Sequence, residues 1–225
     1  MKKMLLFALI SVCCSGCFIT KKIIIKKVFR NPRVENTASI RSFLTKNKFD
    51  TTHSYLFKSD TVKDKTRQFI KRMFTRYAIF NSEGQRLCYN GNATCGGVQF
   101  KELIAGKKDS FSSCSQKTLR LQEELPLIMN FKRKPVTFQD LPRADYYLLK
   151  YWSKAQAGRK GYEEEIGWME DEIEHNKAGL KIIFIKVNFD IKAEDGFQSG
   201  AKIPFHVYLN NGGTDIKMGP IPMKK

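Results

Sequence analysis

The sequence predicts an α/β fold for the C-terminal part of the chain, a central mixed sheet flanked by helices in three layers. Residues 146–152 form an aromatic and aliphatic run with the length of a buried strand. Apolar residues recur at helical spacing over 162–173. Residues 180–191 form a second apolar run that ends in strict alternation. Strand, helix and strand in this order predict a βαβ unit, whose parallel strands need cover on both faces.

An antiparallel hairpin is predicted after this unit. Residues 205–209 have strand character, Asn210-Asn211-Gly212-Gly213 is a strong turn sequence, and residues 214–218 can pair back. The preceding part of the chain predicts an α+β extension. Its expected elements are a helix over 63–74, strands over 76–80 and 85–89 around a turn at 81–84, a helix over 98–105, and a helix over 119–129 that is either interrupted near Pro126 or passes into a strand.

The first residues have the pattern of an export signal. Lys2 and Lys3 supply a positive start, and residues 5–14 form an apolar stretch of roughly ten residues, too short to span a bilayer. Cys14-Ser15-Gly16-Cys17 then resembles the lipobox of bacterial lipoproteins, with Cys14 in place of the usual Leu. The resemblance implies cleavage before Cys17 and lipid attachment to that residue, at a bacterial cell envelope. The alternatives are an ordinary secretory signal or an uncleaved anchor.

Four segments follow from these patterns. We expect a signal peptide over 1–16, a lipidated cysteine with a basic and polar tether over 17–52, an N-terminal α+β extension over 53–134 and a C-terminal α/β domain over 135–225. Within the tether, a short helix is expected near 40–43.

The composition predicts a folded chain with a membrane-facing charge. With 42% apolar residues, the chain can bury a core. The net charge is +18, but seven of the 40 Lys and Arg lie in residues 1–30, which leaves 33 against 22 acidic residues, or +11. Because the remaining charges are spread along an exported chain, we expect the partner of this charge to be anionic lipid or envelope polymer and not nucleic acid.

Residues 136–218 resemble the thioredoxin family in the order of their elements. Residues 151–160 lie where that family has an aromatic-Trp-Ala start and its Trp-Cys-Gly-Pro-Cys-Lys redox loop. Val187-Asn188-Phe189-Asp190 resembles the end of the next strand, and Ile203-Pro204 resembles the cis-proline segment before the hairpin. The resemblance implies a thioredoxin-like fold, in which the proline faces the redox loop and its neighbour's backbone pairs with an extended peptide.

The chemistry of that family is missing from this chain. Its catalytic cysteines correspond to Gln156 and Arg159, which supply neither the thiolate nor the resolving thiol that disulfide exchange requires. The resemblance therefore implies the fold without the activity. It leaves a candidate binding groove for an extended peptide or envelope protein, with Arg159 available to a carboxylate. The groove residues are Gln156, Arg159, Ile203, Pro204 and Phe205.

Besides the lipidated Cys17, three cysteines remain in the predicted mature chain, which allows one internal disulfide and one spare thiol. Cys88 and Cys95 flank a turn at 90–92 that can bring them within bonding distance, so a disulfide between them is predicted. Cys114 is a partner to either one or a buried thiol.

No cofactor or metal site is predicted, because no Gly-rich phosphate loop precedes a helix and the three histidines lack ligand spacing. Two functions remain open. The first is a non-catalytic envelope lipoprotein that acts as a binding or accessory module. The alternative is an envelope thiol–disulfide oxidoreductase that uses Cys88, Cys95 or Cys114.

Overall fold

The computed structural model describes residues 32–58, 77–114, 120–157, 162–210 and 213–224. In chain order, its helices and strands are α1 (Thr37–Lys46), β1 (Ser54–Phe57), β2 (Ala78–Asn81), β3 (Arg86–Tyr89), α2 (Gly96–Ile104), β4 (Phe111–Ser113), α3 (Leu121–Glu124), β5 (Ile128–Met129), β6 (Tyr146–Trp152), α4 (Lys154–Ala157), α5 (Tyr162–Glu174), β7 (Ile182–Asn188), β8 (Phe205–Asn210) and β9 (Gly213–Met218). Short 3-10 turns occur at Lys108–Ser110, Leu125–Leu127, Phe138–Asp140 and Ala193–Asp195.

Seven strands form one mixed sheet in the order β4-β3-β2-β6-β7-β1-β5. The strands β6, β7 and β1 are parallel, and the other neighbours pair antiparallel. The predicted βαβ unit is confirmed, since β6 and β7 lie side by side from Tyr146 opposite Ile182 to Trp152 opposite Asn188. The chain therefore has the predicted α/β class, with a mixed sheet flanked by helices.

Alternation along the central strands divides the core between the two faces of the sheet. We call the first face the helix-side core, where side chains of β6 and β7 pack with those of α1, α2 and α5; examples are Ile40, Leu44, Phe100, Leu148, Ile166 and Phe184. We call the opposite face the loop-side core, because it is covered largely by the segments 120–141 and 189–203. Its buried residues include Leu121, Leu149, Ile185, Val187 and Ile203. Both faces of the parallel strands are thus covered, as such strands require.

Most of the elements predicted from local pattern are confirmed. The hairpin of β2 and β3, the helix α2 and the helix α5 lie where the sequence places them. Of the two alternatives for 119–129, the helix that passes into a strand is confirmed, because α3 leads through the turn Leu125–Leu127 into β5.

The predicted tether is wrong for residues 32–52, although the short helix expected near 40–43 is confirmed within a longer one. Helix α1 spans Thr37–Lys46 and buries Ile40 and Leu44 against the sheet. The side chain of Asn36 accepts a hydrogen bond from the backbone N of Ser39, which caps the first turn. Packing of these two residues, with Phe43 stacked on Trp152, holds a helix whose sequence is mostly polar.

The predicted boundary between an extension and a C-terminal domain is also wrong. Strand β6 pairs with β2 on one side, and β7 pairs with β1 on the other. Because β1 and β2 lie in the expected extension, the sheet crosses the boundary at 134/135 twice.

The predicted C-terminal hairpin is confirmed, but it stands apart from the seven-stranded sheet. Strands β8 and β9 pair antiparallel from Phe205 opposite Met218 to Asn210 opposite Gly213, and they form a separate two-stranded sheet. The peptide bond before Pro204 is trans, so the expected cis-proline is wrong. This segment is held by the start of the described chain, where Ile203 N donates to Pro32 O at 2.8 Å.

Several expectations fall outside the described residues. They are the export signal over 1–16, the lipidation site Cys17, the helix over 63–74 and Arg159. Across the ranges that are described, we find no helix with the length and apolar character needed to cross a membrane.

Candidate functional site at the carboxyl ends of strands β6 and β7

The two central parallel strands end at the same edge of the sheet, where α/β proteins place their ligands. Polar residues follow both strands at this edge. Ser153 comes directly after β6 and is fully buried, and Asn188 ends β7 and is also fully buried. Asp190 follows two residues later and is 2% exposed. Buried polar groups at this place make it the first candidate for a functional site.

Asp190 accepts two hydrogen bonds on one carboxyl oxygen. Its Oδ2 lies 2.8 Å from the backbone N of Lys154 and 2.8 Å from Nδ2 of Asn188. In return, Oδ1 of Asn188 accepts the backbone N–H of Asp190 at 3.1 Å. These bonds join the end of β7 to the first residue of α4 and hold the two strand ends together.

Burial controls the charge of this carboxyl group. Removal from water raises the pKa of Asp190 to about 6, and the negative charge of Glu35 acts in the same direction. The hydrogen bonds from Lys154 and Asn188 and the positive charge of Lys192 lower the pKa, but they do not offset burial. Asp190 therefore changes its protonation near pH 6 in the folded chain.

An ion pair connects this cluster to the beginning of the described chain. Lys154 Nζ lies 2.6 Å from Oε2 of Glu35, which also accepts the hydroxyl of Ser39 at 2.6 Å. The backbone of Glu35 bonds to Ile191 O and accepts from Ala193 N, at 2.9 and 2.7 Å. The segment before α1 is therefore bonded into the same edge as α4 and the residues after β7.

The arrangement acts as a clamp with little access from solvent. Its carboxyl and amide groups bond to one another, and Lys192, 3% exposed, donates from Nζ to Asp190 O at 3.0 Å. A general acid or base must reach the proton that it transfers. With Asp190 enclosed, its described bonds support a role in holding strand ends, α4 and the entering chain in one geometry.

The predicted groove residues lie in different surroundings. Gln156 is 7% exposed, and its backbone N donates to Ser153 O at 3.1 Å. Ile203 is 3% exposed within the loop-side core, while Pro204 is exposed. Phe205 begins β8 opposite Met218. Of Gln156, Ile203 and Pro204, Pro204 alone is exposed to a peptide.

The predicted disulfide is wrong in one partner. Cys88 bonds to Cys114, with Cα atoms 5.0 Å apart, and Cys95 is a free, exposed thiol. Strands β3 and β4 pair with Cys88 opposite Ser112, and this register brings Cys114 within bonding distance. Cys95 instead precedes the first residue of α2.

Two buried lysines were missed by the sequence analysis. Lys150 on β6 and Lys186 on β7 are direct neighbours across the parallel pair, and they are 2% and 1% exposed. Lys150 Nζ lies 3.0 Å from Oε1 of Glu165, and Lys186 Nζ pairs with Glu170. The signal was a single lysine inside each of two apolar strands, at positions that the alternation directs toward α5.

Among the described residues, no three His, Cys, Asp or Glu side chains are grouped so as to hold a metal ion. Comparisons with protein-family models, curated proteins and solved structures found no match to this chain.

Proposed function

We propose that this chain is a bacterial envelope lipoprotein whose α/β domain acts as a binding or accessory module and not as a thiol–disulfide oxidoreductase. In this proposal the domain is a degenerate thioredoxin-like fold. The unit formed by β6, α5 and β7 supports that relation, whereas the C-terminal hairpin and Pro204 depart from it.

The proposal rests on the buried polar residues at the carboxyl ends of β6 and β7, where the redox loop of the family would lie. Gln156 stands at the position of the family's first catalytic cysteine. Its side chain is buried, and its backbone N–H donates to Ser153 O. Next to it, Asp190 is enclosed by Lys154 and Asn188. An oxidoreductase needs an accessible thiolate at this place, and a closed polar clamp occupies it instead.

Cys88 and Cys114 fit a structural role. The disulfide joins β3 to the residue after β4, at one end of the seven-stranded sheet, and spans 26 positions of sequence. In the chain-entropy model, closing a loop of that length stabilises the fold by roughly 3–4 kcal/mol. Such a bond fastens a three-residue edge strand, β4, that makes few other connections to the sheet.

An insulin-reduction assay with dithiothreitol tests this proposal. We expect the wild type, Cys95→Ser and the double variant Cys88→Ser/Cys114→Ser all to leave the rate at the uncatalysed background. Catalysis by the wild type that either variant abolishes would overturn the proposal in favour of the oxidoreductase.

The anchoring half of the proposal has its own readout. Mass spectrometry of the protein from the membrane fraction should find a mature N-terminus at Cys17 carrying a diacylglycerol. A chain that begins at Phe18, or one that retains Met1, would contradict it.

A further inference from the structure

The turn after β5 presents three consecutive cations at the edge of the sheet. Lys132, Arg133 and Lys134 are all exposed. Oδ1 of Asn130 accepts the backbone N–H of Lys132 at 2.9 Å and that of Lys134 at 3.1 Å. Arg133 N donates to Asn130 O at 2.8 Å. The three cations are thus held on a hydrogen-bonded turn and not on a loose loop.

Arg133 stands at a position that ordinarily favours glycine. Its φ is 60°, in the left-handed region that side chains other than Gly, Asn and Asp rarely adopt. A bond of 2.8 Å from its Nη2 to Asp195 holds the guanidinium. A backbone outlier in an ordered turn is a reason to look for a function there.

Helix α1 extends this cationic surface. Arg41 lies with its Cζ 5.1 Å from the centre of the Phe131 ring. Arg41 and Lys46 line an open cleft of about 870 Å³ between α1 and the turn. We call Arg41, Lys46, Lys132, Arg133 and Lys134 together the basic edge.

The carboxylates beside the basic edge are already engaged. Glu194, which also lines the cleft, accepts the backbone N–H of Thr37 at 2.8 Å. Asp195 pairs with Arg133. Within the described ranges, no ion pair to Lys132 or Lys134 is found. Five cations against two bonded carboxylates leave the surface positive.

The basic edge lies close to where the chain enters the fold. Asn36 caps α1, and Cys17 precedes Pro32, the first described residue, by 15 positions. Fifteen residues reach at most about 50 Å when fully extended. A lipid on Cys17 would therefore keep the basic edge within a short tethered distance of the bilayer, at high effective concentration.

We propose that the basic edge is a docking surface for the headgroups of anionic phospholipids, so that the anchored domain lies with α1 and the turn after β5 against the membrane. This proposal rests on lipid anchoring at Cys17 for its biological setting. Each Lys or Arg near an anionic bilayer raises the partition coefficient of the protein about fivefold. This attraction acts only within about one Debye length of the surface.

Sedimentation with lipid vesicles tests the docking surface without the lipid on Cys17. The full mature chain with Cys17→Ser is mixed with vesicles of phosphatidylcholine, with or without 30% phosphatidylglycerol. We expect binding only to the anionic vesicles, and a loss of at least tenfold in Lys132→Glu/Lys134→Glu. The matched control is Lys108→Glu/Lys177→Glu, which reverses two exposed cations beside the close approach of Gly106 to Ala178, toward the β4 end of the sheet and away from the basic edge beside β5. We expect it to bind like the parent, because its tether and basic edge are unchanged.

The outcomes separate the surface from the tether and from the anchoring itself. Equal losses in the two double variants, or none in either, would overturn the proposal and assign vesicle binding to the tether or to net charge. Retention on heparin without vesicle binding would overturn it in favour of another polyanion. Thermal melting of each variant, followed by circular dichroism, shows whether vesicle binding was lost because the variant unfolded. If Lys132→Glu/Lys134→Glu is unfolded, Lys132→Gln/Lys134→Gln takes its place. Absence of lipid on Cys17 would refute the anchoring and leave the vesicle result standing.

Discussion

Asp190 is a carboxyl group whose surroundings favour its neutral form. Burial and the nearby charge of Glu35 raise its pKa to about 6 from an ordinary value of 3.8. Because the pKa in the folded state lies above that of the unfolded chain, the folded state holds more protons between these two values. The contribution of Asp190 to stability is then fully present below pH 3.8 and is lost as the pH rises through 6.

We expect Asp190→Asn to remove this pH dependence. The side chain of Asn keeps an oxygen that accepts from Lys154 N, but it does not titrate. The unfolding free energy of the wild type minus that of the variant should fall by roughly 2–3 kcal/mol from pH 4 to pH 7. Urea unfolding at several pH values measures it, and other groups cancel in the difference.

Asp140→Asn is the control with the opposite sign. Hydrogen bonds from the backbone and hydroxyl of Thr137 lower the pKa of Asp140, so its contribution is present above its unfolded pKa and is lost as the pH falls. The difference between wild type and Asp140→Asn should therefore rise with pH. A difference for Asp190→Asn that is flat, or that rises in the same way, would contradict the enclosed position of Asp190.

At the scale of elements, helix α5 is joined to the sheet by charge as well as by apolar packing. Ile166 and Met169 are buried on its inner face. Directly before and after these two residues in sequence, Glu165 and Glu170 pair with the two buried lysines of β6 and β7. A lysine that loses its partner in such a position remains desolvated, and this costs more than the pair itself contributes.

The two glutamates should differ when each is replaced by glutamine. Glu170 is 21% exposed and its partner Lys186 is 1% exposed, whereas Glu165 is 42% exposed. We expect Glu170→Gln to lower the unfolding free energy by about 2 kcal/mol, because Asp50 at 3.6 Å compensates only in part. Glu165→Gln should cost less, roughly 1 kcal/mol, because water reaches the Glu165 carboxylate although Lys150, 3% exposed, is nearly as buried as Lys186. Urea denaturation at pH 7 compares them, and an equal or larger loss for Glu165→Gln would refute the burial argument.

The elements were predictable where their signals are local. The strand Tyr146–Trp152 and the helix Tyr162–Glu174 follow from period and length, and the β2–β3 hairpin from its turn residues. The partners of those strands were not predictable, because the register of β2 beside β6 depends on residues about 70 positions apart. The disulfide shows the same limit, since Cys114 reaches Cys88 only through the pairing of β3 with β4. The enclosed site at Asp190 was missed because Glu35 reaches it from a segment that reads as a polar linker.

At the scale of the whole molecule, the chain crosses repeatedly between its two halves. The first described residues bond to the segment after β7, where Val34 N donates to Ala201 O and Glu35 N to Ile191 O, both at 2.9 Å. Helix α1 and strands β1 and β2 then cover or flank β6 and β7. Neither half presents a complete sheet with both faces covered, so the described parts should unfold together.

We therefore expect the fragment 135–225 not to fold alone. It would expose both edges of the β6–β7 pair and remove α1 and α2 from the helix-side core, and an isolated two-stranded pair is marginal in water. Circular dichroism of the fragment should show an unfolded chain without a cooperative urea transition, whereas the full mature chain should show one transition. The fragment 32–225 is the matched control and should unfold like the full chain, because it retains every described contact. A cooperative transition and dispersed amide resonances in 135–225 would instead restore the boundary at 134/135 as a division between independent folding units.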